Sequence, residues 1–216
     1  MDRDILYIEM YKLFKRRRAW IGPVLVFLLI IISFPLTLDI NSDNPPQIYL
    51  SFIWISTLLV TMLGTELIFS DDFEDGTLEQ YAVNDQLTEV VFYKIFVHWV
   101  LIGIPLAFVA FLFILSLNIS IQISSIALLC LIISNLIFIN FFSLGNALSL
   151  KKGSILGLLI TIPFLIPVLI VLGKMTTSAL LGLSLVGHLS LLVGVMILVA
   201  SFIPFVISFI LRTHLE

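Results

Sequence analysis

The sequence predicts an all-α protein, a polytopic membrane bundle of six transmembrane helices, and three observations carry that prediction. Of the 216 residues, 60% are hydrophobic and only 12% charged, with a mean hydropathy of +1.19. A soluble domain of this length needs far more charge to keep its surface in water. Six apolar stretches are long enough to cross a bilayer, which takes about 20 residues. They run approximately Trp20–Leu38, Ile48–Phe69, Tyr93–Leu117, Ile123–Leu150, Ser154–Leu172 and Leu189–Leu211. The charges, finally, crowd into Met1–Arg18 and Glu66–Lys94.

Residues 1–19 read as an amphipathic helix lying in the membrane interface, ahead of a transmembrane region over 20–216. Leu6, Met10, Leu13 and Phe14 recur at helical spacing, with Glu9, Lys12 and Arg16 on the other faces. The rival is a disordered basic tail. Trp20–Leu38 is too long for a signal-peptide core and lacks a small-residue cleavage site, so it is expected to stay as the first span. Six spans put Arg3, Lys12, Lys15, Arg16, Arg17, Arg18, Lys94, Lys151, Lys152 and Arg212 on one side and only Lys174 on the other. Basic residues favour the cytoplasm, so both termini are expected there. The outer connections Asp39–Gln47, Asn118–Gln122 and Gly173–His188 are short. The last leaves room for a re-entrant or interfacial turn around Gly182 and Gly187.

The most informative segment is the loop 70–90. Eight of the fourteen acidic residues fall between Glu66 and Glu89. Thr77 and Gln80 fit a capping box after Gly76, which predicts a short helix over Leu78–Val83 presenting Leu78, Tyr81 and Ala82 within an acidic rim. Such an element suits docking of a soluble partner; the plainer reading is a solvated acidic turn. Asp71, Asp72 and Asp75 also fit the D-D-x-x-D pattern of membrane prenyltransferases, whose carboxylates hold magnesium. That class needs a second acidic cluster, and the sequence has none.

His98-Trp99 lies near the inner end of the third span. A histidine in a span is a functional candidate, and neutral imidazole ligates haem iron. The plainer reading has Trp99 at headgroup level and His98 bonded to a neighbouring helix. The spacing of His98, His188 and His214 gives no metal site. Cys130, the only cysteine, forms no internal disulfide and reads as a packing residue. Pro105, Pro163, Pro167 and Pro204 each free a backbone carbonyl inside a span, which a bundle tolerates. Gly173-Lys174-Met175-Thr176 lacks the first glycine and the hydroxyl of a P-loop, and no hydrolase or metalloprotease motif occurs. The chain is expected to be non-catalytic, with no cofactor or metal of its own and no nucleic-acid partner.

Gly76-Thr77-Leu78-Glu79-Gln80 followed by Lys94 resembles the membrane subunits of ABC-2-type exporters. The longer string Asp71-Asp72-Phe73-Glu74-Asp75-Gly76-Thr77-Leu78-Glu79-Gln80 resembles the haem exporter protein B family, CcmB, of cytochrome c maturation. Lys94-Ile95-Phe96-Val97-His98-Trp99 agrees with it, as does Leu150-Lys151-Lys152-Gly153-Ser154-Ile155-Leu156 running into Ile162-Pro163-Phe164-Leu165-Ile166-Pro167. Ser70 departs from the family, which carries a basic residue there.

The resemblance implies an ABC-2-type permease, paired as a homodimer in the bacterial inner membrane, whose residues 1–19 form an elbow helix. It implies an ATPase partner, CcmA, membrane partners CcmC and CcmD, and a periplasmic haem chaperone, CcmE. ATP would act through the partner, with haem as the cargo. Asp71, Asp72, Glu74, Asp75, Gly76, Thr77, Leu78, Glu79 and Gln80 would form the coupling element that answers to the ATPase. The alternatives are an ABC-2 exporter for a lipid, glycan or drug and, from another class, an intramembrane prenyltransferase.

Overall fold

A computed structural model describes residues 2–37, 46–117, 119–151 and 154–215. Among them the chain is helical throughout, with turns but no strand. Helix α1 (Asp2–Lys15) precedes α2 (Arg17–Thr37) and α3 (Pro46–Gly64). Two short helices follow, α4 (Ser70–Glu74) and α5 (Thr77–Val83). The third span, Leu87–Ser116, comprises α6 (Leu87–His98), a π-helical turn (Trp99–Gly103) and α7 (Ile104–Ser116). Helices α8 (Ile121–Ser149), α9 (Ser154–Leu180) and α10 (Val186–Leu215) complete the bundle. Among the described residues, six helices are long and apolar enough to cross a membrane. Their even number brings the two ends of the chain to the same end of the bundle.

Helix α8 is the hub, packing against α3, α6, α7, α9 and α10. Over half of its apolar window is buried, 56% against 17% for α2 at the periphery. Its inward side carries Ser134, Asn135, Asn140, Ser143, Asn146 and Ser149, all buried. Lipid tails are as apolar as leucine, so polar contacts and small residues hold such helices together. Asn135 donates to the Gly103 carbonyl at 2.8 Å, securing the π-turn. Pro105 begins just beyond that turn, where a proline cannot supply the regular helical donor. Trp54 of α3 donates to Thr176 of α9 at 2.9 Å. At the α8–α9 crossing, a Cβ on Gly157 would intrude on the Gly145 carbonyl, so only glycine permits this approach.

Several expected boundaries move, among them the start of the third span, which begins at Leu87 and not Tyr93. Helix α3 stops at Gly64, not Phe69, because residues 65–69 leave the helix as turns held from α8. Asn146 donates to the Glu66 carbonyl and accepts from the Phe69 amide at 3.3 Å. Helix α9 runs on to Leu180 and α10 starts at Val186, which leaves a five-residue turn where a longer connection was expected. Gly182, at φ +67°, makes that turn. Helices α9 and α10 also continue through Pro163, Pro167 and Pro204. Most of the first outer connection, Asn118 and Lys152-Gly153 lie outside the described residues.

Candidate functional site

The acidic loop folds back against the bundle as a helix–turn–helix. Gly76, at φ +76°, ends α4 and starts α5, a conformation that favours glycine. The expected capping box does not form, because Thr77 is already inside the first turn of α5. The Asp75 carboxylate instead accepts from the Thr77 amide at 2.9 Å. Hydrogen bonds from Thr77 hold the Asp75 carboxyl below its ordinary value. The apolar side of α5 also points the other way from the expectation. Leu78 is fully buried and Tyr81 and Ala82 are half-buried, since α5 packs against α6 and α10. Glu79, Gln80 and Val83 face outward, Val83 at 86% exposure, over an open cleft of about 500 Å³ lined also by Asp75, Gly76 and Asn84.

Behind this face lies a buried ionic clamp. The Lys94 ammonium of α6 sits 2.8 Å from Glu9 of α1 and 2.5 Å from Asp72 of α4. All three side chains are buried. Lys12 adds a second ammonium, 3.3 Å from Asp72 and 3.7 Å from Glu9. Two carboxylates thus meet two ammoniums, and the cluster is neutral. Arg16 pairs with Asp71 one turn along. On the far side of the loop, Arg212 of α10 reaches Asp85 at 2.5 Å, and the hydroxyls of Thr88 and Ser208 lie 2.7 Å apart. The Tyr81 phenol is raised above its ordinary value by burial and by the nearby Glu9 charge. Helix α1, the acidic loop and the third span are therefore joined through one lysine.

The expected aspartates do not share a ligand. Asp71 faces Arg16, Asp72 faces Lys12 and Lys94, and Asp75 caps α5. Among the described residues, no group of histidine, cysteine or carboxylate side chains forms a metal site. Glu74 is exposed, and Ser70 begins α4 half-buried.

His98 is buried and bonds its own helix, not a neighbour, with Nδ1 2.8 Å from the Lys94 carbonyl. A carbonyl only accepts, so Nδ1 carries a proton and donates it to this bond. Trp99, expected at headgroup level, is half-buried and donates to the Ile132 carbonyl of α8 at 3.0 Å.

Sequence reading missed Glu9, Lys12 and Arg16 as partners of the loop. The available signal was Lys94 itself, since a lysine inside a span requires a buried partner. Helix α1 turns Ile5, Glu9 and Leu13 inward and leaves Met10 and Phe14 exposed. Of the expected stripe, Leu13 thus packs on the bundle while Met10 and Phe14 face outward.

The chain is similar to known proteins along its whole length. A family model described as CcmB protein matches residues 4–214. The heme exporter protein B of Pseudomonas aeruginosa is 31% identical over 94% of this chain and 93% of its own. That of Haemophilus influenzae is 30% identical, over 99% and 98% respectively. The Escherichia coli K12 protein of the same description is 27% identical over 98% of each chain.

Proposed function

The chain belongs to the CcmB family, and on that premise we propose that it is the membrane permease subunit of a haem-handling ABC complex in cytochrome c biogenesis. In this reading ATP is hydrolysed by a separate cytoplasmic subunit. Its closure acts on α5 and leads to release of a haem-loaded chaperone on the opposite side. The end of the bundle holding both termini faces the cytoplasm of a bacterial inner membrane, in keeping with ten of eleven Lys and Arg residues on that side. CcmC-like and CcmD-like subunits complete the assembly, with two copies of this chain serving two ATPase subunits.

One observation carries the reading. Helix α5 has an anchored face and a free face, and the anchored face continues into a rigid connection to the spans. Leu78 fixes α5 to α6 and α10, while Asp72 in the preceding helix α4 is locked to Lys94 and Lys12. A push on Glu79, Gln80 and Val83 is thereby delivered to the third span and to α1 together, because packed elements move as units. A merely solvated loop has no need of a buried ionic clamp.

The test is capture of the ATPase by tagged, membrane-inserted protein. Val83→Asp places a charge on the exposed apolar residue of the free face and should abolish capture while insertion and thermal stability stay at the parental level. Undiminished capture and ATP-dependent chaperone release in Val83→Asp would remove α5 as the docking element.

A further inference from the structure

Between α1, the end of α3 with the link 65–69, α4 and the C-terminal half of α6 lies a half-open cavity of about 530 Å³. Its inner wall is the clamp itself, Glu9, Lys12, Asp72 and Lys94, while its apolar wall and mouth have no part in the transmission path described above. Its walls include Leu13, Ala19, Leu63, Leu67 and Val97, and its mouth carries Lys15 and Arg16. Leu63 and Leu67 are about half exposed, 49% and 59%, beside a strongly charged loop. In water that exposure is unfavourable; against an acyl chain it is not.

The level of the mouth follows from its neighbours. Tyr11 and Phe14 are exposed on the outer side of α1, and Phe14 stacks on Trp20 with ring centroids 5.8 Å apart. Exposed aromatic residues at the foot of a span mark the headgroup layer. The mouth therefore opens among lipid headgroups.

The charge at the mouth points the same way. Of the acids lining the cavity, Glu9, Asp71 and Asp72 are each matched by Lys12, Lys94 or Arg16, Asp75 accepts from the Thr77 amide, and Glu66 lies at the link 65–69, away from Lys15 in sequence. Lys15, Arg17 and Arg18 are exposed and take part in none of the ion pairs found among the described residues. Lys15 has only the Tyr11 ring below it, at 5.4 Å. Four consecutive basic residues at the cytoplasmic foot of a span attract lipid phosphate.

We infer that this cavity binds one phospholipid of the inner leaflet. Its phosphodiester rests on Lys15 and the neighbouring arginines, and an acyl chain lies along Leu13, Ala19, Leu63 and Leu67. The bound lipid completes the packing between α1 and the bundle, beside the clamp and independently of which cargo the complex handles.

Native mass spectrometry of the full-length protein, with phosphatidylglycerol and phosphatidylethanolamine supplied in equal amounts, tests it. The parental protein should retain one phospholipid per chain under activation that strips bulk lipid. Lys15→Gln, a surface change that leaves the fold intact, should lower occupancy about fivefold. Ala19→Trp, which fills the cavity, should abolish retention of both lipids, and Lys151→Gln should change nothing. Preference for phosphatidylglycerol that disappears in Lys15→Gln supports the phosphate contact. Equal retention by parent, Lys15→Gln and Ala19→Trp would overturn the inference. So would a haem Soret band, lost in Ala19→Trp, from protein that holds no phospholipid. ATPase capture measured on the same preparations separates this result from the fate of the docking reading.

Discussion

Lys94 lies two turns inside the third span, where an ammonium is stable only with partners close by. Glu9 and Asp72 supply them from two other elements. Removing the lysine leaves two buried carboxylates facing each other with Lys12 alone to balance them. Lys94→Met should therefore destabilise the protein by about 3–5 kcal/mol, the usual cost of breaking a buried pair from one side. Thermal unfolding in detergent measures it. The triple change Glu9→Gln, Asp72→Asn, Lys94→Met should recover most of that loss, because the one charge left, the Lys12 ammonium, is 38% exposed and reaches water. Equal melting of Lys94→Met and its parent would show that the cluster is held by water and not by the lysine. None of these pairings was legible in the sequence. A charge announces that it needs a partner but not which one, and Glu9 and Lys94 are 85 positions apart.

Helix α5 was legible in place and length and misread in orientation. Its span, Thr77–Val83, is within a residue of the expected Leu78–Val83. The apolar positions were assigned to a partner when the bundle itself takes them. A seven-residue helix has too little surface to bury one face internally and offer a second apolar face outside, so Leu78 goes inward and Val83 alone remains. Leu78→Ala should consequently act through anchorage. Loss of a fully buried leucine costs about 2–5 kcal/mol, and limited proteolysis should cut 70–90 at least several-fold faster, while Glu79→Ala leaves cleavage unchanged. Unaltered proteolysis in Leu78→Ala would mean that the ion pairs alone hold the loop. The π-turn was likewise foreshadowed only by Pro105. That Trp99 and Asn135 would converge on it required knowing that α8 lies alongside.

At the scale of the molecule, lipid makes the sequence readable. Every backbone group in a span must be satisfied within its own helix, so apolar runs gave the six crossings to within a few residues at most ends. The arrangement of those helices was not readable, since apolar faces look alike whether they meet lipid or protein. One local signal of arrangement exists in hindsight, in glycines with opposite fates. Gly157→Val should disrupt the α8–α9 crossing and lower membrane yield and melting temperature sharply, because the intruding atoms meet backbone. Gly173→Ala, in the same helix with nothing nearby, should be close to neutral. Equal melting of both variants would place the α8–α9 contact elsewhere.

The clamp also has a meaning in time. Its members stand at positions 9, 12, 72 and 94, so a growing chain holds both carboxylates and Lys12 before the lysine that ties them to the third span has been made. Until the third span is made, α1 and the acidic loop have only each other, through Lys12–Asp72 and Arg16–Asp71, and no anchor on a later span. Arrival of Lys94 fastens both at once. The contact that ties the finished bundle together thus also marks the point in synthesis at which its first helix acquires a fixed position.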